Sequence, residues 1–276
     1  MASIREMRLR IKSVKSLAQV TKALETVSAS KVRKAVQANQ ASKPYSEKAW
    51  KVLLHLARQP GHNNLHPLLN ERPLVRKILV VMISGDRGLA GSYNVNVLRN
   101  TLMYFDKFSQ QVDYVCVGKK GRDLLLRRRA NVIAEFTDLK NPATFLEISP
   151  ISHLIVDDFL NEGHDQFYIS YTEFESMTKQ NTVIRKILPL EVDYSGHGPN
   201  ATHQSGNSVF TYEPDQKELL DEIIPRFTAM QIYQSVLSSQ ASEHAARMVS
   251  MSNATENANE LSGLLQLEYN KARQQS

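Results

Sequence analysis

Residues 3–58 read SIREMRLRIKSVKSLAQVTKALETVSASKVRKAVQANQASKPYSEKAWKVLLHLAR, a run with no glycine and a single proline, Pro44. Such a run predicts one helix, which at 1.5 Å per residue would be about 80 Å long. The mean helix of a globular protein has only about 11 residues. Because proline costs an interior helix about 3 kcal/mol, we expect Pro44 to bend or interrupt it. The fold is therefore expected to be built around a rod.

The apolar residues of this helix recur at the spacing of a coiled coil. They fall at Ile4, Met7, Ile11 and Val14, and then at Leu17, Val20, Leu24 and Val27. The first four alternate steps of three and four, and one extra step of three follows Val14. An insertion of this kind is a stammer, which locally overwinds a supercoil. We therefore predict an irregular seam on the first helix.

A second helical pattern occupies residues 215–276, where only Pro225 and Gly263 interrupt it. Its seam alternates steps of four and three at Ile223, Phe227, Met230, Gln234, Leu237, Ala241, His244, Met248, Met251, Thr255, Ala258, Ser262, Leu265 and Tyr269. Several of these residues are small or polar, so a partner helix can approach closely but gains little apolar contact. The two terminal helices are expected to pair antiparallel, with the middle of the chain inserted at one end.

The middle of the chain alternates strands and helices. Strand candidates are 77–84, 112–117, 132–136, 166–174 and 182–188, and helix candidates are 94–108, 122–129 and 148–162. Alternation of this kind indicates a largely parallel sheet with helices packed on it. We predict an α/β fold, a long antiparallel coiled coil of the N- and C-terminal helices plus an inserted Rossmann-like α/β domain. The predicted divisions are a shaft helix 1–58, a globular domain 75–190, a loop 191–214 and a second shaft helix 215–276.

Charge is concentrated at one end of the chain. The formal net charge is +6, and residues 1–34 alone carry nine cations against two acids, a local balance of +7. A basic rod on a nearly neutral body predicts an acidic partner. The sparse spacing of the cations argues against DNA reading, and the absence of an aromatic face argues against membrane insertion. An acidic protein surface is the remaining candidate, although a basic coiled-coil adaptor for nucleic acid stays open.

Compartment and membrane signals are few. The longest apolar run, Ile78 to Ile83, is far shorter than the roughly 20 residues that span a bilayer. The first residues lack the apolar region of a secretory signal, and we interpret them as mature structure. The single cysteine, Cys116, excludes an internal disulfide and is interpreted as a small core residue. A reducing, cytoplasmic compartment is expected.

Motifs for catalysis, cofactors or metals do not emerge. The loop Gly85 to Gly91 follows a strand and precedes a helix, where α/β folds bind phosphates, but its glycines lack the G-x-G-x-x-G spacing. Gly118-Lys119-Lys120 does not fit a P-loop. His62 and His66 are four residues apart, but they lie in a proline-containing loop, where that spacing does not place two metal ligands on one face. We predict no catalytic, cofactor-binding or metal-binding residue. A nucleotide-binding α/β protein that uses Gly85 to Gly91 remains the alternative.

Four segments resemble the gamma subunits of F-type ATP synthases, and together they extend over essentially the whole chain. They are residues 11–31, from Ile11-Lys12-Ser13-Val14 to Ser28-Ala29-Ser30-Lys31, then Ser84-Gly85-Asp86-Arg87-Gly88-Leu89-Ala90-Gly91-Ser92-Tyr93-Asn94, Ala241-Ser242-Glu243-His244-Ala245-Ala246-Arg247-Met248 and Tyr269-Asn270-Lys271-Ala272-Arg273-Gln274. Their order and spacing make the joint signal specific. Any one of them alone would be weaker.

The resemblance implies a central rotor shaft inside a hexamer of alpha and beta subunits, with a globular foot on the c ring and contact with the epsilon subunit. It implies coupling of ion-driven rotation, by protons or sodium ions, to ATP synthesis on the beta subunits, or the reverse. The chain itself would be a non-catalytic subunit, peripheral on the cytoplasmic face of a bacterial cell membrane. Contact with the membrane would run through the c ring alone, and no nucleic acid is implied.

The resemblance also implies partner-binding residues. Asn270, Arg273 and Gln274 match positions that contact the catch loop of a beta subunit. The region that faces the acidic lever of beta is matched by Lys22, Leu24 and Arg247. Tyr212 and Glu213 match the foot that contacts the c ring and epsilon. The family usually continues about ten residues past Arg273-Gln274 into a top bearing, and the residues given stop before it. The single cysteine excludes the redox control of chloroplast members.

Overall fold

The shaft is a pair of long antiparallel helices. The computed structural model describes residues 4–57, 66–190 and 216–275, and the shaft consists of α1, Ile4–Ala57, and α5, Gln216–Gln275. Thr21 Oγ1 lies 2.7 Å from Thr255 Oγ1, and Gln234 Nε2 donates to Ser42 Oγ at 3.3 Å. From the first contact to the second the residue number rises by 21 in α1 and falls by 21 in α5, so the two helices run antiparallel. The predicted coiled coil is confirmed.

The seam of α1 is regular, and the predicted stammer is wrong. The buried residues, with the half-buried Val14 and Glu25 between them, keep steps of three and four: Ile11, Val14, Ala18, Thr21, Glu25, Ser28, Val32 and Ala35. Leu17, Val20 and Val27 instead expose more than half of their surface. The small side chains of the actual seam let the two backbones approach closely, which larger residues would prevent. After Val14 the large apolar residues therefore lie on a second, exposed face of α1. The face that packs on α5 keeps its regular spacing.

Proline does not interrupt either helix. Both Pro44 in α1 and Pro225 in α5 lie within continuous helix, so the interruption expected at Pro44 does not occur. Packing nearby offsets the cost of about 3 kcal/mol. Trp50 stacks on Phe227 with ring centroids 5.3 Å apart, and Leu53 is 2% exposed. Tertiary contacts hold the helices where propensity alone would end them.

The inserted domain contains a five-stranded sheet in the order β3-β2-β1-β4-β5. The strands are β1 Lys77–Ile83, β2 Gln111–Val117, β3 Asn131–Phe136, β4 Gln166–Phe174 and β5 Gln180–Leu188. The connecting helices are α2 Tyr93–Phe105, α3 Lys119–Arg127 and α4 Phe145–Leu160. The first four strands are parallel and β5 is antiparallel. The predicted α/β domain with a largely parallel sheet is confirmed.

Apolar clusters cover both faces of the sheet. On one face, α2 and α3 cover Met82 and Cys116 of the strands, and Leu125 of α3 packs against them. On the other face, α4 and the first part of α5, residues 220–236, pack against the strands. Phe159 of α4 and Phe227 of α5 belong to this cluster. Burial raises the pKa of the Cys116 thiol to about 12, as fits a core residue rather than a nucleophile. Within the described ranges no helix has the length and apolar character to cross a bilayer.

Candidate functional site: the junction of shaft and foot

The helix α5 crosses the sheet at the point where the strand order reverses, between the carboxyl ends of β1 and β4. In open α/β sheets ligands usually bind in the crevice at such a point. Here three serines of α5 make the contacts. Ser239 Oγ lies 2.8 Å from the Tyr93 hydroxyl, Ser238 Oγ accepts from Phe174 N at 2.9 Å, and Ser242 Oγ donates to Thr172 O at 3.2 Å. The shaft thus occupies part of the crevice.

The glycine-containing loop after β1 is tied down by hydrogen bonds within the chain. Gly85 N donates to Asn94 Oδ1 at 2.9 Å, and Lys120 N donates to Gly85 O at 3.0 Å. The two carboxylate oxygens of Asp86 accept from Lys119 N at 3.0 Å and from Asp138 N at 3.1 Å. Asp86 thus holds the amino end of α3, the place where a phosphate would bind. A phosphate ligand would have to displace this carboxylate.

An ion pair on α5 clamps the same loop. Arg247 Nη2 lies 2.5 Å from Glu243 Oε1, Nε donates to Gly88 O at 3.1 Å, and Nη2 donates to Arg87 O at 3.3 Å. The two side chains are only 9% and 12% exposed. A Cβ at Gly85 would lie 2.6 Å from the Glu243 carboxyl carbon, so a larger residue there would displace the Glu243 carboxylate from its place beside Arg247. Burial raises the pKa of Glu243, although Arg247 opposes the shift.

His244, beside this pair, is held neutral. Arg247 Nη1 lies 2.9 Å from its Nδ1, and because arginine only donates, Nδ1 must accept. Burial, together with the charges of Arg247, Lys31 and Arg87, lowers the pKa of His244 to about 3. The ring proton therefore lies on Nε2, and the Asn141 amide beside it must turn its Oδ1 toward the ring to accept that proton. Three cations are thus close enough to His244 to disfavour its protonated form.

Beside the junction lies a cleft of about 470 Å³ between α1, the loop and α5. Leu24, Val27 and Lys31 of α1 line it, as do Arg87 of the loop and Arg247 of α5. Among the described residues neither Lys31 nor Arg87 is within ion-pair distance of a carboxylate, whereas Arg247 is paired. The cleft is also lined by the carboxylates of Asp86, Asp138 and Glu243, so its cations stand among an equal number of acids. Lys31 acts electrostatically on Glu243, and Arg87 on Asp138.

Comparison with known proteins decides the family. The family model described as ATP synthase matches residues 3–276. A gamma chain of ATP synthase from Dehalococcoides mccartyi is 42% identical over 277 residues, with 100% of this chain and 94% of the relative covered. The chain belongs to the ATP synthase gamma-chain family. A second gamma chain, from Roseiflexus sp., is 39% identical over 279 residues, covering 99% of this chain and 93% of its own length.

Solved structures share the fold. The rotor of the mitochondrial ATP synthase of Euglena gracilis aligns with a TM-score of 0.67 at 19% identity, covering 99% of this chain and 98% of its own. The central stalk of the Tetrahymena thermophila enzyme aligns with a TM-score of 0.64 at 22% identity, covering 85% of this chain and 99% of its own. The predicted family, the gamma subunit that forms the central rotor shaft, is confirmed by the gamma-chain relatives.

The gamma-chain residues implicated by sequence fall into separate places. Leu24 and Arg247 line the cleft, where Arg247 is only 8% exposed, and Lys22 lies nearby on α1, paired with Glu25 at 3.0 Å. Asn270, Arg273 and Gln274 are together near the far end of α5, about 39 Å of helix beyond Arg247, with Arg273 and Gln274 exposed. Tyr212 and Glu213 lie outside the described residues.

Sequence reasoning missed the residues that join shaft and foot. Glu243, Ser239 and Asp86 were not singled out, although Glu243 and Asp86 lie in segments that carry the resemblance. One signal was available. Residues 238–247 read SSQASEHAAR, in which small and charged residues occupy every face of the helix. A helix without an apolar stripe that is nonetheless long and continuous must have polar partners on several sides.

Proposed function

We propose that this chain couples ion-driven rotation of a membrane c ring to the cycling of catalytic beta subunits, in the direction of ATP synthesis or of ATP-driven ion pumping. The observation that carries the proposal is the joint between shaft and foot, where α5 is hydrogen-bonded into the sheet and projects beyond it as a long helical pair. We assign the chemistry to other subunits. The proposed location is the cytoplasmic face of a bacterial cell membrane, with protons or sodium ions as the coupling ion.

Unequal faces of the rod support this role. The outer face of α1 carries cations, among them Lys12, Lys15 and Lys22, whereas α5 alongside exposes Glu256 and Glu260, among other acids. Apolar side chains add to both faces, with Leu17 and Val20 exposed on α1 and Leu264 and Leu267 on α5. A ligand shifts a conformational equilibrium only if it binds the states unequally. As this rod turns, each surrounding beta subunit would meet a different chemical surface.

The proposed contacts with beta subunits lie at two places on the shaft, beside the cleft and near the far end of α5. We propose that Asn270, Arg273 and Gln274 contact a catch loop of one beta subunit, and that Lys22 and Leu24 face the acidic lever of another beside the cleft. Arg247 is buried, so we propose that it acts by holding the loop that bears Arg87. Tyr212 and Glu213 are proposed to contact the c ring and epsilon.

We propose that the chain is divided into the parts that its sequence predicts. Residues 1–58 and 215–276 would form the shaft, 75–190 the foot, and 191–214 a connecting loop. The hexamer of alpha and beta subunits would enclose the shaft. Contact with the membrane would run through the c ring, and epsilon would bind the foot.

Reconstitution tests the proposal. The purified chain is combined with alpha and beta subunits of the same source, and ATP hydrolysis and rotation of a bead on the foot are recorded. We expect active, rotating complexes. The double variant Arg273→Ala, Gln274→Ala should lower ATP hydrolysis several-fold, and the neighbouring exposed Gln275→Ala should not. A chain that does not assemble would overturn the proposal, and micromolar binding of nucleotide to the isolated chain would favour a nucleotide-binding protein instead.

A further inference from the structure

A histidine bridges two carboxylates at the edge of the sheet where the parallel strands begin. His164 lies in the turn 161–165 between α4 and β4, and it is 7% exposed. Its Nδ1 lies 2.6 Å from Asp158 Oδ2 of α4, and its Nε2 lies 3.1 Å from Asp113 Oδ2 of β2. The imidazole thus connects α4 to β2. We call Asp113, Asp158 and His164 the edge cluster.

This arrangement determines how many protons the edge cluster holds. Ionised carboxylates only accept hydrogen bonds, and a neutral imidazole has a single N–H. A neutral His164 would therefore turn a lone pair toward one of its two carboxylates. Imidazole binds a proton more tightly than a carboxylate does, with ordinary pKa values of about 6.5 and about 3.9. Each ring nitrogen of His164 therefore carries a proton, and the folded chain holds the ring as an imidazolium.

Asp113 is fixed as an acceptor in the edge cluster. Burial opposes its ionisation, but hydrogen bonds from Asn131, Gln111 and His164 outweigh burial and hold the pKa of Asp113 below its usual value. Asn131 Nδ2 donates to Asp113 Oδ1 at 2.9 Å, and Gln111 Nε2 donates to both carboxylate oxygens at 3.1 Å. Asp113 is therefore ionised, and the proton between it and His164 belongs to Nε2.

His164 is the cation that faces these two carboxylates. Within residues 4–57, 66–190 and 216–275, no lysine or arginine lies within ion-pair distance of Asp113 or Asp158. Asp165 is bound instead by Arg72 Nη1 at 3.0 Å and by two backbone amides, and Glu71 pairs with Lys186. The other charged side chains at this edge are exposed: Arg76, Lys77, Asp106, Lys107, Arg127, Arg128, Arg129, Asp157 and Glu162. The charge balance of the edge cluster therefore depends on the protons of His164.

The turn that carries His164 is strained and is held on two sides. Glu162 has a φ of 60°, a left-handed conformation that is strained for a residue with a Cβ. A Cβ at Gly163 would collide with Asp158 Oδ1, so the Asp158 carboxylate lies directly against the turn. His164 fastens one side of the turn to β2. On the other side Asp165 N donates to Lys77 O at 2.9 Å, which fastens it to β1.

We propose that the edge cluster is a proton-dependent latch, in which the second proton of His164 fastens the turn 161–165 to β2 and its loss at alkaline pH releases that side of the turn. Without this proton a ring lone pair faces a carboxylate, and the strained turn relaxes away from β2. The bond from Arg72 to Asp165 persists, because arginine stays charged. The clamp at Arg247 lies at the opposite edge of the sheet, so the joint with the shaft stays intact. This pH control goes beyond the proposed function, which includes none.

Urea unfolding of the full chain at a series of pH values tests the latch. Above the ordinary histidine pKa of about 6.5, the unfolded chain has released a proton that the folded edge cluster still holds, so stability falls as pH rises. Relative to His164→Gln, the unfolding equilibrium constant of the parent should rise by at least about tenfold between pH 6.5 and pH 8.5. A relative rise of less than twofold overturns the proposal.

Asp158→Asn is the matched variant. Its amide can donate to Nδ1 of a neutral His164 while Nε2 still donates to Asp113, so the turn stays fastened without the second proton. Its unfolding constant should lack the extra rise with pH that the parent shows, and a rise as steep as the parent's would contradict the latch. His153→Gln changes an exposed histidine of the same helix and should keep the parent's rise. Loss of the rise in this control would place the titrating group outside the edge cluster.

Two further measurements locate the proton and the opening. Nitrogen-15 spectra of labelled histidine, with His164 assigned by its shift in Asp158→Asn, should show both ring nitrogens protonated at neutral pH; a neutral ring overturns the proposal. Hydrogen exchange, corrected for its intrinsic dependence on pH, should show protection lost at alkaline pH in residues 158–165 of the parent and retained in β1. Protection that is kept in the turn, or lost over the whole domain, would mean that no local latch exists.

Discussion

The two halves of the shaft are held in different ways. Near the foot, in the neck half formed by residues 24–57 and 216–250, α5 is buried on most of its circumference, with Val236, Ser239, Ala241 and Ala245 each at most 1% exposed. In the tip half, formed by residues 4–21 and 251–275, the described residues that are buried are few. They are Ile11, Ala18, Thr21, Met251, Ala258 and Ser262.

The difference separates stability from function. The neck half gains its free energy from apolar burial, an enclosed ion pair and serine hydrogen bonds, and it is expected to be intact in the isolated chain. The tip half buries mostly alanine, serine and threonine, which remove little apolar surface from water at about 25 cal/mol per Å². Its exposed leucines, among them Leu17, Leu264 and Leu267, are available for contact with a partner subunit. The part of the shaft that is proposed to bind the beta catch loop is thus the part least stabilised by the chain itself.

The largest expected effect is the loss of the neck clamp. Arg247→Ala leaves the Glu243 carboxylate buried without its partner, and breaking such a pair costs about 3 kcal/mol or more of unfolding free energy. Urea unfolding followed by circular dichroism measures it. Arg273→Ala, which removes an exposed arginine from the tip, should change the same free energy by less than about 0.5 kcal/mol. Equal effects at the two arginines would contradict the comparison.

The neck should also be sensitive to acid through His244. Its pKa is near the usual 6.5 when unfolded and about 3 when folded, so the unfolded state binds the extra proton between these values. Stability is therefore present above about pH 6.5 and is lost as pH falls toward 3, by up to about 1.4 kcal/mol per unit. Relative to His244→Gln, the parent should lose roughly 2 kcal/mol between pH 7 and pH 5. Parallel pH profiles of parent and variant would show that the histidine is not buried as a neutral ring.

In the tip half, a single pair of hydroxyls is expected to contribute about 1 kcal/mol. Thr255→Val removes the bond from Thr21 Oγ1, whereas Thr21→Val, Thr255→Val replaces both partners by apolar groups of similar shape. We expect a loss of about 1 kcal/mol for the single variant and nearly none for the double variant. A double-mutant cycle by urea unfolding gives the coupling. Additive losses would mean that the pair does not stabilise the tip.

The smallest expected effect is at Leu17. It is 55% exposed on α1, so Leu17→Ala should change the unfolding free energy of the isolated chain by less than about 0.5 kcal/mol. The same unfolding measurement checks it. A loss above 1 kcal/mol would place Leu17 in the seam and restore the stammer. A null result supports a surface that is kept apolar for a partner.

The comparison also explains which parts of the structure could be predicted from sequence. The helices and the sheet follow from local patterns, because helix periodicity and β-rich runs act within a few residues. The seam of α1 could not be assigned from the largest apolar residues, since Leu17 and Val20 face outward and small residues such as Ala18 face α5. The regular spacing of the small residues was the available signal. The clamp between Gly88 and Arg247 joins residues 159 apart, and no local pattern encodes such a contact.

The contacts of α5 with the foot have a mechanical consequence. With about 100° between successive residues of a helix, Ser238, Ser239, Ser242, Glu243 and Arg247 are distributed over roughly half of its circumference. The foot therefore cannot turn about the axis of α5 without breaking several bonds at once, so the joint behaves as a splined coupling rather than a hinge. Elastic twist should then accumulate in the slender pair beyond Ser250, and torsional compliance becomes a property of the small-residue seam.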